Sequence, residues 1–187
     1  PNELINQAAR GHWRECGSIN RSYVIGIDPN AGGGDYFVAM VLDITTSPYE
    51  VVGMYRENGK STDYSLKHVK TLIDDYMPQR VIVEKQAMGS VIAEALQHIL
   101  PNYAIETFNT SRASKTVATD RILYLLERDE LVFPSGIIAD ELRAFQQQES
   151  GARQAVNGAH DDTVMALAFA CSLIPETPAT ASFFDNI

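Results

Sequence analysis

The chain has 187 residues, of which 45% are hydrophobic and 21% are charged, and its formal net charge at pH 7 is −9. This length and composition are typical of one globular domain, and they exclude an intrinsically disordered chain. Two cysteines without CxxC spacing exclude a disulfide scaffold, and the longest apolar stretch, residues 164–174, is too short to span a bilayer. The acidic excess argues against a general polyanion binder, but not against a nucleic-acid enzyme whose carboxylates hold metal ions.

The first part of the chain predicts three antiparallel strands, because short links join runs rich in Val, Ile and aromatic residues. The runs are residues 23–27, 36–43 and 49–56. Residues 1–21 are polar and indicate a linker or adaptor helix. We assign the compact domain to residues 22–174 and a flexible tail to residues 175–187.

After residue 60 the pattern changes to alternating helices and strands. Apolar residues spaced by three and four predict helices near residues 63–76, 91–100, 114–128, 138–145 and 161–172. Strands are predicted at residues 80–84 and 103–108, with a short one at 131–134. Together these elements indicate an α/β fold: a mixed five-stranded sheet of three antiparallel strands followed by parallel strands, with helices on both faces.

Acidic residues stand at the ends of apolar strands. Asp28 follows the first strand, Glu84 ends the strand at 80–84, and Asp161 and Asp162 open the last helix. Ligands of an open α/β sheet bind where strands end. Carboxylates that converge there repel one another unless cations lie between them, and oxygen ligands select Mg²⁺ or Mn²⁺ over zinc. Taken singly, Asp28 also fits a turn cap and Asp161 a helix N-cap, whereas Glu84 is unusual in a buried strand.

Several segments resemble the nuclease domain of large terminase subunits from tailed bacteriophages, over roughly residues 23–174. They are Asp28 after its strand, Asp35-Tyr36 after three glycines, the strand at 81–84, and His160-Asp161-Asp162 before a helix of small residues. Residues 131–134 and 141–145 also fit the family. The resemblance implies an RNase H-like, RuvC-related fold and a metal-dependent endonuclease that cuts double-stranded DNA during viral genome packaging in the host cytoplasm.

The same resemblance implies roles for particular residues. Asp28, Glu84 and Asp161 become the catalytic acids, and together with Asp162 they become the ligands of two Mg²⁺ or Mn²⁺ ions. Glu84 is a mild departure, since many relatives have Asp at that place. Of the adjacent pair we favour Asp161 as the direct ligand. The implied partners are an N-terminal ATPase motor domain of the same full-length chain, the portal protein and the small terminase subunit, with no membrane.

Weaker signals add further candidates. Asp35 and His160 are interpreted as auxiliary site residues, although a turn acid and an inert loop residue explain them as well. Cations near strand ends or near a helix start suit phosphate contact, but a solvated helix face accounts for each of them too. The predicted DNA contacts are Lys85, Arg112, Lys115 and Arg121.

Three other interpretations stay open from the sequence. A Holliday-junction resolvase of the RuvC type also begins Gly-Ile-Asp-Pro, as residues 26–29 do here, and places Glu at the end of a later strand. An ATP-binding protein of the P-loop or sugar-kinase type is a second interpretation. However, residues 53–61 have one residue too many between their glycines for a Walker motif, so Asn58-Gly59 is interpreted as a turn. A non-catalytic RNase H-like scaffold is the third.

Overall fold

The computed structural model describes residues 2–29, 35–86, 88–147, 153–155 and 160–175. The glycines at 32–34 and the predicted tail beyond residue 175 therefore lie outside the described residues. Within those ranges, no helix has the length and apolar character needed to cross a membrane.

A sheet of six strands, counted over the described residues, forms the centre of the domain. The strands are β1 Tyr23–Asp28, β2 Phe37–Asp43, β3 Tyr49–Glu57, β4 Arg80–Glu84, β5 Ile105–Phe108 and β6 Leu131–Val132. Their order across the sheet is β5-β4-β1-β2-β3-β6. The first three strands are antiparallel neighbours, β4 and β5 extend the sheet in parallel beyond β1, and β6 runs parallel to β3. This confirms the mixed sheet. It has six strands instead of the five expected, because Leu131 and Val132 pair with the start of β3.

Helices cover both faces of the sheet, as expected. The helices of the described residues are α1 Asn2–Ala8, α2 Thr62–Tyr76, α3 Gly89–Ile99, α4 Arg112–Glu127, α5 Ile137–Ala144 and α6 Asp162–Ser172. Helices α2 and α3 pack on one face, around buried Val69, Ile73 and Leu96, while α1, α4, α5 and α6 pack on the other.

Helix α6 lies directly against β1 at Gly26. A Cβ atom at Gly26 would fall 2.3 Å from both Ala166 O and Ala170 N, so only glycine permits this approach. Residues 162–171 of α6 are all buried, because small side chains let the helix sit between the sheet and α4. The contact fixes α6 over β1, two residues before Asp28.

Two further elements complete the described chain. Strands β7 Phe145–Gln147 and β8 Arg153–Ala155 form a small antiparallel hairpin, which the sequence pattern did not predict. Helix α1 packs on α4 and α5 and buries Ile5 and Ala8. The domain boundaries at 21/22 and 174/175 stay predictions.

The region considered for a P-loop forms no such loop. Gly53 lies inside β3, and Gly59, with φ of 71°, lies in the turn between β3 and α2. The structure thus agrees with the interpretation of Asn58-Gly59 as an ordinary turn.

Candidate active site

An acidic pocket opens at the sheet edge where β1 and β4 end. Its volume is about 160 Å³, and the four acids predicted as metal ligands all line it, together with Asp35 and Lys115. These acids are Asp28, Glu84, Asp161 and Asp162. The fold therefore brings together carboxylates that are far apart in the sequence.

Asp28 and Glu84 meet because their strands are parallel neighbours in register. Ile27 of β1 pairs with Val83 of β4, so the acids that follow them end adjacent strands side by side. Side chains alternate across a strand. Val24 and Ile82 belong to the core beneath α6. Asp28 follows Val24 on the same strand by an even number of residues, and Glu84 follows Ile82 in the same way. Both acids therefore project to the face of the sheet that α6 covers.

The chain after Glu84 is held by the first residue of α3. A Cβ atom at Gly89 would fall 1.6 Å from the Glu84 carbonyl oxygen, which places the helix start directly against the end of β4. Only glycine tolerates an approach this close. This packing holds the backbone at the end of β4 next to the pocket.

The two acids at the start of α6 have different partners. Asp161 is the N-cap residue of α6, but its side chain makes no capping hydrogen bond. It accepts instead from Lys115 Nζ of α4 at 2.9 Å. Asp162 is buried, and its Oδ2 accepts from the backbone N–H of Tyr36 at 3.1 Å. Both carboxylates are thus directed to the pocket, and both remain candidate ligands.

Burial and like charge shift two pKa values in this pocket. Burial, followed by the negative charges of Glu84, Asp162 and Asp161 and a hydrogen bond to Glu84, raises the pKa of Asp28 well above its usual value. The pKa of Asp162 is raised to about 6, mainly by burial. A hydrogen bond from Tyr36 lowers this pKa, whereas the negative charges of nearby acids raise it; these acids are Asp35, Glu141 and Asp161. Protons are therefore favoured in the pocket when it holds no cation.

Asp35 and His160 lie beside Asp162. His160 Nδ1 is 3.6 Å from Asp162 Oδ2 and 4.0 Å from Asp35 Oδ1. One ligand atom from each of the three residues lies within 4.8 Å of the others. The structure thus places both predicted auxiliary residues next to the acid cluster.

The predicted DNA contacts are not all at the pocket. Lys115 lines the pocket. Lys85 is exposed and directly follows Glu84 in the chain, and Arg112 is exposed and is the first residue of α4. Arg121 lies six residues after Lys115, roughly 9 Å further along the helix axis. Arg121 is not among the residues that line the pocket, and its role as a DNA contact stays a prediction.

A family model described as the terminase RNaseH-like domain matches residues 25–173. The chain belongs to the terminase RNase H-like domain family. It is 32% identical over 155 residues to the large terminase subunit of Thermus virus P23-45, a match that covers 80% of this chain and 31% of that relative. This terminase domain therefore spans about a third of the length of the curated relative.

Solved structures of a terminase nuclease have the same fold. The large terminase nuclease from thermophilic phage G20c matches with a TM-score of 0.77 at 26% identity, covering 92% of this chain and 97% of that chain. The same nuclease with bound magnesium matches with a TM-score of 0.77 at 27% identity, covering 91% and 95%. It has also been solved with bound cobalt and with bound zinc.

Three residues around Asp162 in this terminase domain were not predicted as site residues from the sequence. Tyr36 donates to Asp162, and half-buried Arg56 forms an ion pair with buried Glu141 behind it. Glu141 carried a readable signal, since it is an acid among the apolar residues Ile138 and Leu142 of a predicted helix. Arg56 ends a strand like many surface residues, so no sequence pattern singled it out.

Proposed function

We propose that this terminase domain is a divalent-metal-dependent endonuclease that cuts double-stranded DNA during viral genome packaging. The observation that carries the proposal is the convergence of Asp28, Glu84, Asp161 and Asp162 on one pocket. A cluster of this kind is electrostatically unfavourable without cations. The magnesium-bound structure of the G20c nuclease supports a metal-dependent activity.

The donor chemistry of the pocket fits Mg²⁺ or Mn²⁺. Its carboxylates are hard oxygen ligands, and such ligand sets suit these ions. Asp28, Glu84 and Asp161 are the proposed catalytic acids, and together with Asp162 they would hold the metal ions from the lining of the pocket. Asp162 also forms, with Asp35 and His160, a group whose ligand atoms lie within 4.8 Å of one another. When bound there, two such ions would supply an activated water and stabilise charge on the leaving oxygen of a phosphodiester.

The residues of this chain orient the acids and the DNA. Lys115 holds Asp161 and places a cation at the pocket, where a phosphate oxygen can accept from its Nζ. Arg112 begins α4, whose first-turn amides are donors for a second phosphate contact, and Lys85 extends this basic edge. These cations position the backbone of the duplex and read no bases, so cleavage has little sequence preference.

The remaining partners are proposed from membership of the terminase family and from the greater length of its curated relative. The chain spans about a third of the Thermus virus P23-45 subunit. We therefore propose that an ATPase motor domain of the full-length chain, the portal protein and the small terminase subunit hold the DNA during packaging. With a net charge of −9, this domain alone binds duplex weakly.

Plasmid cleavage tests the proposal. The 187-residue chain is incubated with supercoiled DNA and Mn²⁺ or Mg²⁺, and nicked and linear products are quantified. Wild type is expected to cut in a metal-dependent way, and Asp28→Asn is expected to reduce cutting to background. Asp140→Asn is the matched control, because Asp140 is an exposed acid on α5 that pairs with Arg143.

A folded Asp28→Asn protein that cuts like wild type would contradict the proposal.

A four-way junction is compared with linear duplex in the same assay. We expect no junction preference, whereas strict junction cleavage would instead favour a resolvase of the RuvC type.

A further inference from the structure

We propose that Arg56 and Glu141 are positioning residues for the carboxylate pocket. Their ion pair, between half-buried Arg56 and buried Glu141, fixes the first turn of α6 and, through Tyr36, the carboxylate of Asp162. This inference rests on the proposed metal-dependent function, because it assigns the pair a role in holding metal ligands. Neither residue lines the pocket.

Arg56 connects three elements from its place on β3. Its Nη2 donates to Glu141 Oε1 at 2.8 Å, and its Nε donates to Thr163 Oγ1 at 3.2 Å. The guanidinium carbon lies 3.3 Å from the centre of the Tyr36 ring. A planar guanidinium can donate in two directions and stack at the same time, and lysine cannot. The position of Arg56 thus fixes β2, α5 and α6 relative to one another.

Glu141 takes over the capping of α6. Its Oε2 accepts from the backbone N–H of Thr163, in the first turn, at 2.9 Å. Such amides lack partners within their own helix, and the N-cap side chain ordinarily satisfies one of them. Here the N-cap residue is Asp161, which makes no capping bond and contacts Lys115 instead. An acid from α5 therefore leaves the Asp161 carboxylate available to the pocket.

Tyr36 carries the effect of the pair to Asp162 and His160. Its backbone N–H donates to Asp162 Oδ2 at 3.1 Å, and its ring meets the His160 ring edge-on, with centres 5.0 Å apart. Arg56 lies against the Tyr36 ring. A displacement of the guanidinium consequently moves the residue that orients Asp162.

Folding stability gives little reason to bury this pair. The side chains of Arg56 and Glu141 are 16% and 6% exposed. Ion pairs buried to this degree are often replaceable by neutral side chains without loss of stability, since desolvation offsets their attraction. Residues that orient metal ligands typically change metal affinity by about 10-fold to 100-fold when they are substituted. A pair that served only stability would leave Mn²⁺ affinity unchanged when it is replaced, whereas a pair that positions metal ligands changes this affinity.

The test uses the double substitution Arg56→Met/Glu141→Gln in the 187-residue chain. It removes one charge of each sign, so the net charge of the protein is unchanged. The substituted side chain on α5 keeps an amide oxygen that can accept from the Thr163 N–H. We expect a folded protein whose dissociation constant for Mn²⁺, measured by titration calorimetry, rises about 10-fold. The Mn²⁺ concentration for half-maximal plasmid cleavage is expected to rise in parallel.

Two further variants complete the experiment. Arg56→Lys keeps the positive charge but cannot donate to both Glu141 and Thr163. It is expected to weaken Mn²⁺ binding, and it provides the test if the double variant does not fold. Arg14→Met is the control, because Arg14 pairs with buried Asp43 at the opposite end of β2. We expect it to lower the melting temperature and to leave Mn²⁺ affinity unchanged.

The outcomes separate the two proposals. Wild-type Mn²⁺ affinity in folded Arg56→Lys and in the double variant would overturn the positioning role and leave the proposed function standing. Absence of Mn²⁺ binding by wild type would overturn the proposed function, and the positioning role with it.

Discussion

Lys115 Nζ lies 2.9 Å from Asp161 Oδ2, so a cation on α4 holds the first acid of α6 at the mouth of the pocket. The side chains are about one quarter exposed, which leaves Lys115 accessible to a phosphate. One residue thus compensates part of the acid charge and offers a DNA contact.

Substitution of Lys115 separates these two roles. Lys115→Met removes a positive charge from the pocket, so Mn²⁺ is expected to bind at least as tightly as in wild type. Cleavage at saturating Mn²⁺ is expected to fall about 10-fold or more, because a charge-assisted phosphate contact is lost. Calorimetry and plasmid cleavage measure the two effects. Lys70→Met is the control, since Lys70 pairs with Asp74 on the surface of α2, and equal cleavage by both variants would rule out the phosphate contact.

Asp28 is expected to destabilise the domain when no metal is bound. Its raised pKa means that the ionised carboxylate is unfavourable in the folded state, mainly because it is buried. In EDTA at a pH of about 7.5, Asp28→Asn should therefore raise the melting temperature, by about 2–4 °C for each kcal/mol of unfavourable energy that is removed. With Mn²⁺ the order should reverse, because only wild type gains stability from the ion. A lower melting temperature for Asp28→Asn in EDTA would contradict this account.

The stability of the metal-free domain should increase as the pH falls from about 7 towards 5. The pKa of Asp162 is about 6 in the folded state against an ordinary value of 3.8, so the folded protein binds more protons between these values. The contribution is fully present below the unfolded pKa and is lost as pH rises through about 6. The part gained between pH 7 and pH 5 is on the order of 1 kcal/mol. Urea denaturation in EDTA measures it, and Asp162→Asn should flatten the pH dependence; an equal slope in that variant would show that other groups cause it.

The contact between α6 and β1 should not tolerate a side chain at Gly26. Gly26→Ala places a Cβ atom 2.3 Å from Ala166 O and Ala170 N, so α6 has to move away from the sheet. We expect a loss of about 1–3 kcal/mol in the free energy of unfolding, measured by urea denaturation, and weaker Mn²⁺ binding. Gly59→Ala serves as a comparison, since Gly59 has open space around it but a φ of 71°. Mn²⁺ affinity at the wild-type level in Gly26→Ala would show that the acids of α6 tolerate the movement.

The fold class and the acids of the site could be predicted without coordinates. Strand and helix periods differ, so the three antiparallel strands and the helix–strand alternation could be read directly. Asp28, Glu84 and Asp161-Asp162 stood out because acids at strand ends and at a helix start carry local signals. The short strand β6 was recognised, but its pairing with β3 depends on contacts distant in sequence.

The way in which those acids are held could not be predicted, because it depends on tertiary packing. The sequence suggested Arg121 as a DNA contact because it lies near the start of a helix that follows a strand end, yet it does not line the pocket. Nothing in the sequence connected Arg56 of β3, Tyr36 just before β2 and Glu141 of α5. Hydrogen bonds and stacking among distant residues depend on where packed elements meet. The spacing of apolar residues along the chain predicts whether a segment is a helix or a strand. It does not predict which residues of distant segments come into contact.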